Sequence, residues 1–127
     1  PDIDEHFGGE TFGDIMRSLD LDDGEFSHAA RDKLARNAPL SLFCATQLIH
    51  RVRNRPQIRF ALDQEYRITA RAMQHGDFIE GIRAKIIDRD NAPNWRHADW
   101  RAVNAGDVHP MLAPLGADAL TLERELT

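Results

Sequence analysis

Residues 57–95 read QIRFALDQEYRITARAMQHGDFIEGIRAKIIDRDNAPNW, and they decide the fold. From Gln57 to Gln74 the chain carries no Pro or Gly. Ile58, Ala61, Leu62, Tyr66, Ile68, Thr69 and Met73 recur at three- and four-residue steps, the period of one helix face. The spacing predicts a long helix stopped by Gly76 in a left-handed conformation. Asp77 then reads as the N-cap of a further helix, with Glu80 three residues on completing an acidic capping box. Phe78, Ile82, Ile86 and Ile87 are its predicted core face. Gly81 inside that helix costs about 1 kcal/mol relative to Ala. Its presence predicts a neighbouring backbone too close for a methyl group. After Asp88 the segment DRDNAPNW reads as a turn-rich loop, anchored on the helices by Trp95 and Trp100.

The rest of the chain is helical too. Thr11 caps a helix whose Phe12, Ile15, Met16 and Leu19 keep the same period, and Asp14 in its first turn favours the helix dipole. Gly24 breaks the pattern. Ser27 reads as the cap of a second, short helix running to about Asn37, with Ala30 and Leu34 inward. Pro39 opens a third helix with Leu42, Ala45, Thr46, Leu48, Ile49 and Val52 on its inner side, and Asn54 and Pro56 end it. The helix from Gln57 is then the fourth. Toward the C-terminus Asn104 caps a last helix around Asp107 to Ala113, with Pro110 in or near its first turn. Leu120, Leu122 and Leu126 belong to a less ordered tail. The predicted architecture is all-α, five to six helices in one domain over residues 1–115, with a tail over 116–127.

Composition excludes several classes. A net charge of −5 with no clustered basic face argues against a nucleic-acid surface. There is no apolar run of the length a membrane helix needs. The acidic opening PDIDEHFGGE is unlike a secretory leader. The single cysteine, Cys44, allows no internal disulfide, fits a reducing compartment, and reads as a small buried hydrophobe. Fourteen Arg stand against two Lys, Lys33 and Lys85, a bias expected of a GC-rich bacterial genome. The expected location is the bacterial cytoplasm.

A calcium loop with Gly24 at its sixth place would put Leu19, Leu21 and Ala30 at ligand positions, and Asp88, Asp90 and Asn91 are followed by Ala92 and Pro93, so both fail. None of His6, His28, His50, His75, His97 and His109 has another His three or four residues on. Ser27 and Ser41 lack a nucleophile motif and read as helix caps. Cys44 and His50 fall on different sides of one helix. Glu65 borders an apolar stripe but is expected to pair with Arg59 or Arg67. No catalytic or metal-binding residue is expected in the chain.

The segment Asp77-Phe78, Glu80-Gly81-Ile82-Arg83-Ala84, Ile87-Asp88, Asp90, Pro93 and Trp95 resembles the C-terminal signature of crotonase-superfamily acyl-CoA enzymes, in the 3-hydroxyisobutyryl-CoA hydrolase branch. Asn37-Ala38-Pro39-Leu40-Ser41-Leu42 and Glu65-Tyr66-Arg67-Ile68 resemble two further motifs of that branch, and Ile3, Asp4 and Phe7 the segment after its core domain. General enoyl-CoA hydratases share the start of the signature but continue with an aromatic residue and a Lys-rich end, used in some members to contact CoA. Lys85 and Asp88 stand at those places here.

The resemblance implies the helical C-terminal domain of such an enzyme, without the β-rich core that carries the catalytic residues. It implies a CoA thioester as the parent's substrate, no covalently bound cofactor, and the missing core domain as partner. Lys85 and Arg89 are the candidate contacts for CoA phosphate. Helices that have lost a packing partner should expose apolar surface and self-associate. The expected form is a dimer, through Phe7, Phe12 and parts of the third and fourth helices. A fragment of an enoyl-CoA hydratase/isomerase and a stand-alone helical oligomerisation module remain as alternatives.

Overall fold

A computed structural model describes residues 1–120, without the side chains of Met73 and His75. Leu122 and Leu126 of the expected tail lie outside the described residues; before them Gly116–Asp118 form a 3-10 turn. Among the described residues there is no strand, and the helices are α1 (Asp2–His6), α2 (Phe12–Asp20), α3 (Glu25–Leu34), α4 (Pro39–Asn54), α5 (Ile58–His75), α6 (Phe78–Ile82) and α7 (Ala105–Leu112). The short acidic α1 is additional to the helices that periodicity predicts.

Two capping boxes fix helix starts. Thr11 Oγ1 accepts from the Asp14 amide while Asp14 Oδ2 accepts from the Thr11 amide. Asn104 and Asp107 do the same for α7. Pro39 takes the first position of α4, where its missing N–H costs nothing. Pro110 lies inside α7 rather than in its first turn.

Phe12, Ile15, Met16 and Leu19 of α2 form one core cluster, with Phe26, Ala30 and Leu34 of α3 packed on it. Leu40 and Cys44 of α4 form a second with Val103, Val108, Met111 and Leu112. Phe43 touches both clusters and meets Phe12 edge-on at 5.4 Å between ring centroids. Burial of Phe12, at 3% exposure, removes it from any self-association surface.

Several predicted faces are rotated. In α4, Thr46 is buried as expected, but Ala45 and Ile49 are exposed, and Leu40 and Cys44 are buried instead. The apolar residues of that helix are spread over all its sides, so period alone does not choose its inner side. In α5, Ile58, Leu62 and Tyr66 are exposed while Gln64 is 1% exposed. Ile68 packs on the second cluster as the stripe predicts, but the rest of the inner face of α5 is polar because it serves the end of α7. Arg67 and, more distantly, Arg51 donate to the Leu112 carbonyl, and Arg71 donates to the Met111 and Pro114 carbonyls. These guanidinium groups satisfy last-turn oxygens that have no partner within the helix and sit at the negative end of its dipole. Glu65 is exposed, and Arg67 pairs with Asp63 at 2.8 Å, not with Glu65.

The expected serine caps are also corrected. Gly24 is the N-cap of α3, and Ser27 lies inside the helix, fully buried, donating to Asp22 Oδ2 at 2.8 Å. Ser41 is the third residue of α4 and exposed.

Candidate functional site

The signature residues 77–95 fold into one helix–turn unit. After α6 the backbone widens into a π turn over Arg83–Ile87, where the Asp88 amide donates to the Arg83 carbonyl five residues back at 2.8 Å. Such widened turns are rare and frequent at functional sites. The chain then reverses through Arg89 and Asn91, both left-handed at φ 55° and 51°, and the Asn91 amide returns to the Ala84 carbonyl.

Arg83 holds this reversal. Its guanidinium makes a fork with Glu80, Nε to Oε1 at 2.7 Å and Nη2 to Oε2 at 2.6 Å. Nη1 reaches Asp88 and Asp90, each at 2.8 Å, and Nη2 donates to the Ala92 carbonyl. Glu80 Oε2 also accepts from the Asn94 amide at 2.8 Å. The Arg83 hydrogen bonds and then the Asn94 amide pull the Glu80 carboxyl down to about 2. Arg83 likewise holds Asp90 below the usual carboxylate range, and the three carboxylates push Arg83 above its own.

This geometry corrects the capping box expected at Asp77. Neither Asp77 nor Glu80 bonds the start of α6 as a box would; Asp77 Oδ1 accepts from the Arg96 amide at 2.6 Å, so both carboxylates hold the far side of the loop. Gly76 is extended at φ −108°, not left-handed. A Cβ there would meet the Ala72 carbonyl oxygen at 3.0 Å, so close approach of α5 is what requires glycine. At Gly81 the neighbour is the Trp95 indole at 3.4 Å, a side chain and not a backbone. Asp77, Glu80, Gly81, Arg83, Asp88 and Trp95 are thus brought together, with Ala84 buried beneath them and Pro93 half-buried.

The apolar residues of the same unit turn outward. Phe78, Ile79, Ile86 and Ile87 are 55%, 51%, 64% and 70% exposed, against the expected core role of Phe78, Ile86 and Ile87. Beside them a groove of about 400 Å³ runs to Leu40, Cys44 and Met111 of the second core cluster, with Ile82 and Lys85 along it. Lys85 and Arg89 are both exposed, but Arg89 does not line the groove.

The other candidates have structural partners. Cys44 is 1% exposed, and burial pushes its thiol up to about 11. His50 faces away from it and donates from Nε2 to the Gly9 carbonyl at 2.8 Å. The acidic turn serves a network that residue spacing does not reveal. Buried His6 bonds Ser18 through Nδ1 at 2.8 Å and Asp22 through Nε2 at 3.0 Å. The Gly24 amide and the Ser27 hydroxyl lower the Asp22 carboxyl, His6 adding a smaller part. His6 also lies near Asp2 and Glu5, but both its ring nitrogens are already engaged. His97, buried, meets Asp107 at 3.2 Å.

The 3-hydroxyisobutyryl-CoA hydrolases of Homo sapiens and Danio rerio, both mitochondrial, are 28% and 31% identical to this chain over 118 and 120 residues. The alignments cover 93% and 94% of this chain but 30% and 31% of those proteins. Among solved structures, an enoyl-CoA hydratase from Rhodobacter sphaeroides superposes with a TM-score of 0.89 at 44% identity over 95% of this chain. A carnitinyl-CoA dehydratase from Mycobacterium thermoresistibile superposes with 0.84 at 32% identity. This chain covers 36% and 34% of those two chains, so it spans about a third of the length of its relatives. The family model for enoyl-CoA hydratase/isomerase matches residues 1–112, through the whole Arg83-centred unit and to the end of α7, and the chain belongs to that family.

Proposed function

We propose that this chain is the C-terminal helical part of an acyl-CoA enzyme whose parent is a 3-hydroxyisobutyryl-CoA hydrolase. The parent would cleave the thioester of a 3-hydroxyacyl-CoA in valine breakdown, in the bacterial cytoplasm. Its core, outside these residues, would supply the backbone N–H groups that hold the developing oxyanion and the carboxylates that manage water. The helical part covers the acyl-CoA site and packs on the core, and carries no catalytic residue of its own. CoA is here the substrate's carrier and not a resident cofactor. Lys85 and Arg89 are the cations offered to its phosphates.

One observation carries this reading. The segment richest in family signature residues holds its polar members inward on Arg83 and turns Phe78, Ile79, Ile86 and Ile87 to the outside. An exposed apolar ridge of this kind marks an interaction surface.

A second reading has its own support: the 44% identity is to a structure titled an enoyl-CoA hydratase. The two differ in the bond they address. A hydrolase releases a free CoA thiol; a hydratase adds water across the double bond of a 2-enoyl-CoA and leaves the thioester intact. The longer product of the same gene is expected to release thiol from 3-hydroxyisobutyryl-CoA. With a 2-enoyl-CoA as substrate, loss of the enoyl absorbance without thiol release would favour the hydratase.

A further inference from the structure

A cleft of about 260 Å³ opens between α2, α4 and α7, on residues other than Lys85 and Arg89. Its floor is apolar, formed by Phe43, Val103, Val108 and Leu112. Around it stand Arg17, Arg51, Arg101 and His109, and among the described residues no Asp or Glu lines it, although the chain as a whole carries a net charge of −5. Arg51 is engaged by the neutral Gln64 amide oxygen at 2.8 Å and, more distantly, by the Leu112 carbonyl.

Arg17 and Arg101 share one wall, the Trp100 indole. Their guanidinium carbons lie 5.7 and 4.6 Å from its ring centroid, positions that cation–π attraction favours. Each is also tethered by carboxylates that do not line the cleft: Arg17 by Asp14 at 2.8 Å, Arg101 by Asp99 at 3.1 Å and Asp20 at 3.4 Å. A guanidinium has five N–H donors, and the Asp14 contact occupies one of those on Arg17. The tethers place the groups without saturating them. Gly13 adds to the placement, because a Cβ there would come within 3.3 Å of Arg17 Nη2.

We propose that this cleft binds a small organic carboxylate. The apolar body would lie on Phe43 and Val108, and the carboxylate would accept from Arg17 and Arg101. Apolar pockets with a few convergent polar groups are the usual form of small-molecule sites, and the volume limits the ligand to a short chain or a single ring. The assignment is independent of the family reading.

The test is 19F NMR of 4-fluorobenzoate titrated with the 127-residue chain at low salt. Saturable line broadening is expected. Arg17→Gln with Arg101→Gln should weaken it about tenfold, the size of a lost charge-assisted hydrogen bond. Both side chains are more than 60% exposed, so the double variant should fold. The exposed pair Arg36→Gln with Arg53→Gln makes the same charge change away from the cleft and should leave binding intact. On the unaltered protein, neutral 4-fluorobenzamide should bind about tenfold more weakly. Absence of saturable binding, equal binding of the amide, or an equal loss in the control pair would overturn the proposal. So would inorganic phosphate binding as tightly as the benzoate, since the apolar floor would then contribute nothing.

Discussion

Around Arg83 three carboxylates and a carbonyl converge on one guanidinium, and the reversal from α6 to Trp95 depends on that convergence. The sequence shows which residues are involved, through their spacing, but not to what they bond. An Asp at a helix start with a Glu three residues later looks the same whether the carboxylates hold the helix's own amides or those of a returning loop. Here Asp77 and Glu80 take the amides of Arg96 and Asn94.

This has a pH consequence. The Glu80 carboxyl titrates near 2 in the fold against an ordinary 4.5. A depressed folded value means that its contribution is complete above about 4.5 and fades as pH falls toward 2. Hydrogen exchange at the Asn94 amide should therefore accelerate across that window beyond its intrinsic pH dependence. Glu80→Gln should show the faster exchange already at neutral pH, with no further change in the window. An Asn94 amide equally protected in the variant would separate Glu80 from the loop.

At the level of elements, α2 was legible almost completely, since one apolar stripe and one threonine define it. The inner sides of α4 and α5 were not. Hydrophobic period cannot orient a helix whose apolar residues lie on every side, nor one that turns Gln64, Arg67 and Arg71 inward beside Ile68. Those residues are there for the carbonyls at the end of α7, an arrangement visible only after the chain has folded. Arg71→Met should leave the Met111 and Pro114 oxygens without their donor and cost about 1–3 kcal/mol in urea unfolding. Asn104→Ala, at the other end of α7, should cost about 1 kcal/mol through the lost cap. If Arg71→Met proves neutral while Asn104→Ala does not, the polar face of α5 is not what fixes that helix end.

For the molecule as a whole, the all-helical class follows from the sequence, whereas the outward turn of Phe78, Ile79, Ile86 and Ile87 does not. Phe78, Ile86 and Ile87 keep the spacing of a core face; what they lack is a covering neighbour among the described residues. Ile49 on α4 and Ile58 on α5 are also more than half exposed. Isolated chains should therefore self-associate, and light scattering across a hundredfold dilution should show dimers dissociating. Replacing Ile86 and Ile87 by Asp should shift the equilibrium to monomer without lowering helix content. A monomer at every concentration would remove this expectation.

Assay of CoA release from 3-hydroxyisobutyryl-CoA, with the 127-residue chain and the longer product proposed for its gene side by side, tests the division of labour most directly. The chain alone is expected to give no turnover above buffer, and the longer product steady turnover. Thioester cleavage by the isolated helices would contradict the account.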